Sequence, residues 1–328
     1  MRKMRRREFA ILLGAAVVLR PRAGRAQQPT IPVVGLLDSS SAGVWPFVAD
    51  FRTGLAEAGF VEGRNVRIEY RWADGHYDRL PGLAAELVRI PVTVLAATGI
   101  TAALAAKAST STIPVVFHTG GDPVKAGLVA SLAKPGGNIT GVVSLNKILV
   151  PKQLELLHEL VPKTKVIAFL VNPNNGVIRS DTSNMQTAAQ AKGVQLQIVE
   201  AKNKTEIETA FASVSQGRVG ALIVQVDPFL DGQREQLADL AARYAVPAMA
   251  AYPEFATVGG LISYGNSLAD AYRLEGNYAG RILKGERPAD LPVQQSVKTT
   301  LVINLKTAKA LGVRVPPSLL LRADQILQ

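Results

Sequence analysis

The chain has 328 residues, which suits about two domains, and contains no cysteine. That excludes disulfides, thiolate metal sites, cysteine nucleophiles and lipid attachment through an N-terminal cysteine. Hydrophobic residues make up 48% and charged residues 19%, which excludes general disorder, and the formal charge of +11 would by itself invite a nucleic-acid or anionic-membrane partner.

The charge is unevenly placed. Arg2, Lys3, Arg5, Arg6 and Arg7 crowd the start, and Phe9 to Leu19 form an apolar run too short to span a membrane. A small-residue stretch then ends Ala23-Gly24-Arg25-Ala26. A basic head, an apolar middle and a small-residue site predict a cleaved export signal over 1–26. The alternative is an uncut anchor helix, against which Arg20 and Arg22 argue by shortening the apolar segment. Arg6-Arg7 resembles a twin-arginine motif. Residues 1–26 carry +7, leaving +4 on the rest. No later basic run carries interleaved aromatics, so no nucleic-acid partner is expected.

Strand and helix patterns then alternate. Pro32 to Leu37 reads as a strand, followed by the loop Asp38-Ser39-Ser40-Ser41. Phe47, Phe51 and Leu55 mark one face of a helix that stops at Gly59. Val66 to Trp72 is a strand, Tyr77 to Arg89 a helix, Val92 to Ala96 a strand and Thr101 to Ser109 a helix. Pro114 to Phe117 is a strand, Val124 to Ala133 a helix and Ile139 to Val143 a strand. The rhythm restarts with a helix at Pro151 to Val161, a strand at Val166 to Val171 and a helix at Ser180 to Lys192. Strands at Val194 to Val199, Ala221 to Val226, Pro247 to Ala250 and Leu261 to Tyr264 follow, with helices at Lys204 to Val214 and Arg234 to Tyr244 between them. This pattern predicts an α/β fold with parallel sheets in two Rossmann-like lobes. The expected division is 29–145 plus about 265–285 for one lobe, and 146–263 plus part of 286–328 for the other. A helix from Leu268 to Lys284 would return to the first lobe, and the chain crossings would form a hinge.

Ligands of parallel α/β sheets sit beyond the carboxyl ends of the strands. In the first lobe those positions hold Ser39, Ser40, Ser41, Thr98, Gly99, Thr101, Thr119 and Asp122, with Trp45 nearby. In the second they hold Asn172, Asn174, Asp227, Tyr252 and Glu254. Backbone N–H groups near Thr101 suit a carboxylate. Each residue also has an ordinary structural reading. Ser and Asp before a helix cap it, Asn172-Pro173-Asn174-Asn175 is a turn signature, and Trp45 or Tyr252 can stack on a ligand ring or cover a core. Catalytic patterns are poor. The histidines are His76, His118 and His158, and no HExxH, Walker loop or nucleophile elbow occurs. No enzyme activity, metal or cofactor is expected.

The segments ATGITAALAAKAST (97–110), IPVVFHTGGDPVKAGLVASLAKPGGNITGV (113–142), VNPNN (171–175) and GGLISYGNSLADAYR (259–273) carry a family resemblance, as does the tail over 282–324. Together they resemble the periplasmic substrate-binding proteins of ABC transporters, in the branch similar to the tryptophan/tyrosine-type component. The resemblance implies a type I periplasmic-binding fold that closes on a small carboxylate-bearing or amino-acid-like, aromatic ligand. It implies delivery to an ABC permease in the inner membrane by a soluble periplasmic monomer. It places first-lobe binding loops at Ser39 to Ser41, Thr98 to Thr101 and Asp122. Second-lobe loops fall at Asn172, Asn174, Asp227 and Glu254, with Asp227 opposite any ligand ammonium. Val226 and Pro228 flank Asp227 where aromatic amino-acid binders have Thr-Asp-Asn, so an aromatic or other small carboxylate is an alternative ligand. A sensor feeding a signalling receptor and an exported α/β enzyme are the alternative functions.

Overall fold

The structure, a computed structural model, describes residues 31–42, 47–144, 146–217 and 219–328. The expected export signal over 1–26 and Trp45 lie outside the described residues. Residues 32–328 form one unit.

In chain order the first stretch contains β1 (Val33–Asp38), α1 (Val48–Glu57), β2 (Arg67–Trp72), a 3-10 turn at Tyr77–Arg79 and α2 (Leu80–Arg89). It continues with β3 (Val94–Thr98), α3 (Ile100–Ser109), β4 (Val115–Thr119) and β5 (Ile139–Ser144). The second stretch contains α4 (Asn146–Leu160), β6 (Val166–Val171), α5 (Ile178–Ala191), β7 (Gln195–Glu200), α6 (Lys204–Gln216) and β8 (Ala221–Val224). Then come α7 (Pro228–Gly232), α8 (Arg234–Arg243), β9 (Ala248–Ala250), α9 (Pro253–Thr257) and β10 (Ile262–Asn266). The remainder forms α10 (Leu268–Leu283), β11 (Gln294–Ser296), β12 (Thr299–Asn304), α11 (Leu305–Ala310), α12 (Pro317–Arg322) and β13 (Gln325–Leu327).

Two sheets result. The first has the order β11-β5-β4-β3-β1-β2 and the second β13-β12-β10-β9-β8-β6-β7. Every pair in the first is parallel, and the second is parallel except where β10 meets β12. Parallel strands are covered on both faces and so read as unbroken apolar runs; β1, β3, β4 and β5 are buried along their whole length. The chain passes between the sheets three times, after β5, after β10 and after β11.

Helix α10 leaves the second sheet and packs on α1 and against β3, β4 and β5. Small residues let the helices approach. A methyl group added at Gly276 would stand 2.0 Å from the Phe51 carbonyl oxygen, and one at Gly54 would stand 1.9 Å from that of Arg273.

The structure departs from the expected helix over Val124 to Ala133, which is a run of turns. Asp122 Oδ1 accepts from the N–H groups of Val124 and Lys125, Leu128 N–H bonds back to the Pro123 carbonyl, and Gly127 turns at φ 72°. Glycine takes that left-handed conformation at no steric cost and ends the turn. Leu128 and Val129 nevertheless reach the first-lobe core, which explains their helix-like spacing. Helix α4 also starts earlier than expected and continues through Pro151.

Candidate functional site

Parallel register sets the floor of the site. Asp38 at the end of β1 stands opposite Thr98 of β3, and Thr98 stands opposite His118 of β4. These three form one polar row at the carboxyl ends of adjacent strands, where backbone groups of the following turns are unpaired by the sheet. A cavity of ≈ 70 Å³ opens above this row between the lobes. Its first-lobe wall continues through Ser39, Tyr77, the turn Gly99–Thr101, Thr119 and, from α10, Leu268 and Tyr272. The second lobe contributes Asn175, Val177, Asp181, Val226, Pro228, Asp231 and Tyr252. Among the described residues no lysine or arginine lines it.

The floor is held by buried hydrogen bonds. Asp38 Oδ1 accepts from the backbone N–H of Ser40 at 2.8 Å and from its hydroxyl at 2.7 Å, and Oδ2 accepts from the Tyr272 hydroxyl at 2.8 Å. Burial raises the Asp38 pKa against these donors. Beneath it, Thr98 Oγ1 donates to Glu275 Oε2 at 3.2 Å, and Glu275 is fully buried. Burial first, and then the charge of Asp38, push Glu275 well above the usual carboxylate range. His118 bonds Ser144 through Nε2 at 2.9 Å, and burial pulls its pKa down to about 4, so its ring is neutral at pH 7.

Helix α3 begins at the cleft. Its N-cap, Gly99, has φ 93° and supplies no side-chain cap. The first N–H groups of a helix have no intrahelical partner, so those of Ile100 and Thr101 face an anion-favouring position.

A buried hydrogen bond joins the lobes. Asp227 caps α7 and is completely buried. Its Oδ1 accepts from Leu230 N–H at 3.0 Å and Asn172 Nδ2 at 3.1 Å; its Oδ2 accepts from Asn175 Nδ2 at 2.8 Å and, from the other lobe, the Tyr77 hydroxyl at 2.6 Å. Burial and then the Asp227 charge hold the Tyr77 phenol well above its ordinary pKa, which keeps it a donor. Phe229 packs beside Gly75 of the facing lobe, and Val177 lies against Gly121.

Of the residues expected at the site, Ser39, Thr98, Gly99, Thr101, Thr119 and Tyr252 lie on the cleft wall. The others do not. Ser40 is buried behind Asp38, which it bonds, and Ser41 is off the wall in the following turn. Asp122 caps its own loop and faces a neighbouring groove between α3 and α5. Asn172 holds Asp227, and the exposed Asn174 only donates its backbone N–H to Asn172 Oδ1. Glu254 faces a small cavity behind Asp231, which it shares with Arg234. Asp227 corrects the expectation most sharply: four donors already occupy its carboxylate, leaving no free acceptor position for a ligand ammonium.

Asp231, Tyr77, Asp181 and Tyr272 were not expected on the wall. Asp231 stands one helical turn after Asp227, at the i,i+4 spacing that shares a face. That spacing, applied from the strand end into α7, is the signal that finds it. Burial and then the Asp227 charge push Asp231 well above the usual carboxylate range.

Comparisons with known proteins agree with this fold. A tyrosine-binding protein of Clostridioides difficile (strain R20291) is 26% identical over 264 residues, 80% of this chain and 76% of that protein. The crystal structure of an ABC domain in complex with L-Trp from Streptococcus pneumonia is similar with a TM-score of 0.82, at 25% identity over 90% of this chain and 99% of that one. A conserved domain protein from Vibrio cholerae O1 biovar eltor has a TM-score of 0.81 at 26% identity, covering 90% of this chain and 99% of that one. A leucine-binding protein from Thermotoga maritima, 11% identical with a TM-score of 0.55 over 77% of this chain and 81% of that one, shares the type I periplasmic-binding fold alone. Among the described residues no helix is long and apolar enough to cross a membrane, and no group of acidic or histidine side chains is arranged to hold a metal. Residues 40–327 match the family described as ABC transporter substrate binding protein, and the chain belongs to that family.

Proposed function

We propose that this protein captures an aromatic, amino-acid-like ligand between its lobes and delivers it to an ABC permease in the inner membrane, without chemical change to the ligand. The observation that carries the reading is the cleft itself, walled by the carboxyl ends of both sheets and bridged by Tyr77 and Asp227. In this reading 29–145 with about 265–285, and 146–263 with part of 286–328, act as two bodies about the chain crossings. Ligand contact with both walls then shifts an open–closed equilibrium. The ligand carboxylate takes the N–H groups of Ile100 and Thr101, and Thr98 and Ser39 hydrogen-bond beside it. The wall of Tyr252, Leu268 and Tyr272 covers an aromatic ring. Tyrosine and L-Trp are the ligands named for relatives, which supports an aromatic ligand here. The basic, then apolar residues 1–26 support export and cleavage, giving a periplasmic monomer.

A thermal-shift screen of the amino acids and of aromatic acids tests the reading. At least one aromatic compound is expected to raise the melting temperature, and the Thr98→Ala/Tyr252→Ala double variant is expected to lose that shift. A full shift in the double variant would remove these residues from the site.

A further inference from the structure

We propose that the group this cleft requires of its ligand is a protonated amine, that the carboxylate is the lesser determinant, and that Asp231 receives the amine. This deepens the capture reading and rests on it.

The carboxylates at the cleft differ in what they have left to offer. Asp38 accepts three hydrogen bonds, from Ser40 twice and from Tyr272. Asp227 accepts four and is sealed from the space. Asp231 lines the space at 8% exposure; the backbone N–H of Asp227 donates to it, and no side chain among the described residues does. A nearly buried carboxylate without a side-chain donor is costly unless a partner supplies one. The open side of Asp231 is the cleft.

A second feature points the same way. His118 lines the cleft at 5% exposure, and its Nδ1 has no hydrogen-bond partner. The ring is neutral, so it brings no positive charge to the floor. Asp38 and Asp231 line the space, and among the described residues no lysine or arginine lines it with them. Glu275 lies behind the first wall and Glu254 behind the second; Arg234, beside Glu254, faces the cavity at the back of Asp231. A ligand carboxylate therefore meets only the partial positive charge of the α3 N-terminus, about half an elementary charge. A ligand ammonium meets the Asp231 carboxyl group, whose ionised form its charge favours, and the rings of Tyr252, Tyr77 and Tyr272 line the same space.

The test uses the intact protein and isothermal titration with six probes in two ring series. They are L-tyrosine, tyramine and 3-(4-hydroxyphenyl)propionate, and L-tryptophan, tryptamine and indole-3-propionate. In the better-bound series the amine lacking the carboxylate is expected to bind at least about tenfold more tightly than the acid lacking the amine, the effect of one charge-assisted hydrogen bond. A smaller gap, or the reverse order, overturns the proposal. Asp231→Asn is expected to weaken the amine and the amino acid by about tenfold or more, and to leave the acid within about threefold. Equal losses for all three probes would make Asp231 merely structural and overturn its assignment. The wild-type titrations decide the amine requirement even where the variant does not fold. Binding of none of the six also overturns it, whereas the capture reading falls only if the protein takes up nothing from a broad library of small metabolites.

Discussion

Replacing Tyr77 by Phe removes one hydroxyl, and that hydroxyl joins the lobes. It donates to Asp227 Oδ2 at 2.6 Å in a buried position. The phenyl ring keeps its place in the first-lobe core, where Tyr77 is 7% exposed. Asp227 keeps the donors from Leu230, Asn172 and Asn175. The loss therefore falls on the closed arrangement, because opening gives both groups to water. A hydrogen bond of this kind contributes about 1–3 kcal/mol net, or roughly 5- to 150-fold in an equilibrium constant. If the ligand-free protein is mostly open, the whole factor appears as lost affinity; if it is mostly closed, only part does. Titration with L-tyrosine or L-tryptophan is expected to show at least about fivefold weaker binding for Tyr77→Phe. Small-angle X-ray scattering is expected to show a larger mean radius of gyration. Thermal stability of the individual lobes should change little. Unchanged affinity together with unchanged compaction would refute the assignment of this bond as a closure contact.

Three further predictions concern the frame of the site. Gly276→Ala is expected to cost about 1–3 kcal/mol or more in denaturant unfolding, because the added methyl meets the Phe51 carbonyl oxygen at 2.0 Å; an unchanged midpoint would contradict the close crossing of α1 and α10. His118 has a folded pKa of about 4 against its ordinary value of 6.5, so the unfolded chain binds more protons between them. Its contribution is present above the unfolded value and is lost as pH falls toward 4, a difference of roughly 3 kcal/mol. His118→Gln should flatten the acid side of the stability curve by about that amount. Glu275 has the opposite sign. Its folded pKa is raised, so its contribution holds at low pH and is lost as pH rises through the raised value. Glu275→Gln keeps an acceptor for Thr98 and should gain stability relative to the wild type from pH 5 to pH 8; a pH-independent difference would contradict the buried, protonated carboxyl.

Much of the architecture is legible in the sequence because parallel strands announce themselves as short apolar runs and some of their helices stop near a glycine, as α1 does at Gly59 and α5 at Gly193. The alternation from Val33 to Asn266 is of that kind. The misread loop at 122–133 shows the limit. Val124, Leu128, Val129 and Leu132 have helical spacing, yet the backbone follows Asp122, Gly127 and Pro135, whose local bonds outcompete a helix. The wall positions at strand ends, such as Ser39, Thr98 and Thr119, follow from the topology rule. Residues reached through long-range contact do not. Tyr77 meets Asp227 across 150 residues, and Tyr272 meets Asp38 across 234. Asp227 stands at the right place with its capacity already used, and a turn later Asp231 is free to face the cleft. Glu275 reads as a surface acid of an amphipathic helix until α10 is seen to lie under the first sheet.

A crystal structure of the protein grown with saturating L-tyrosine tests the central claim most directly. The amino acid is expected to lie enclosed between the lobes, its amine within about 2.7–3.2 Å of the Asp231 carboxylate and its carboxylate on the N–H groups of Ile100 and Thr101. Tyrosine held by one lobe alone, or bound outside the space between Thr98 and Asp231, would contradict it.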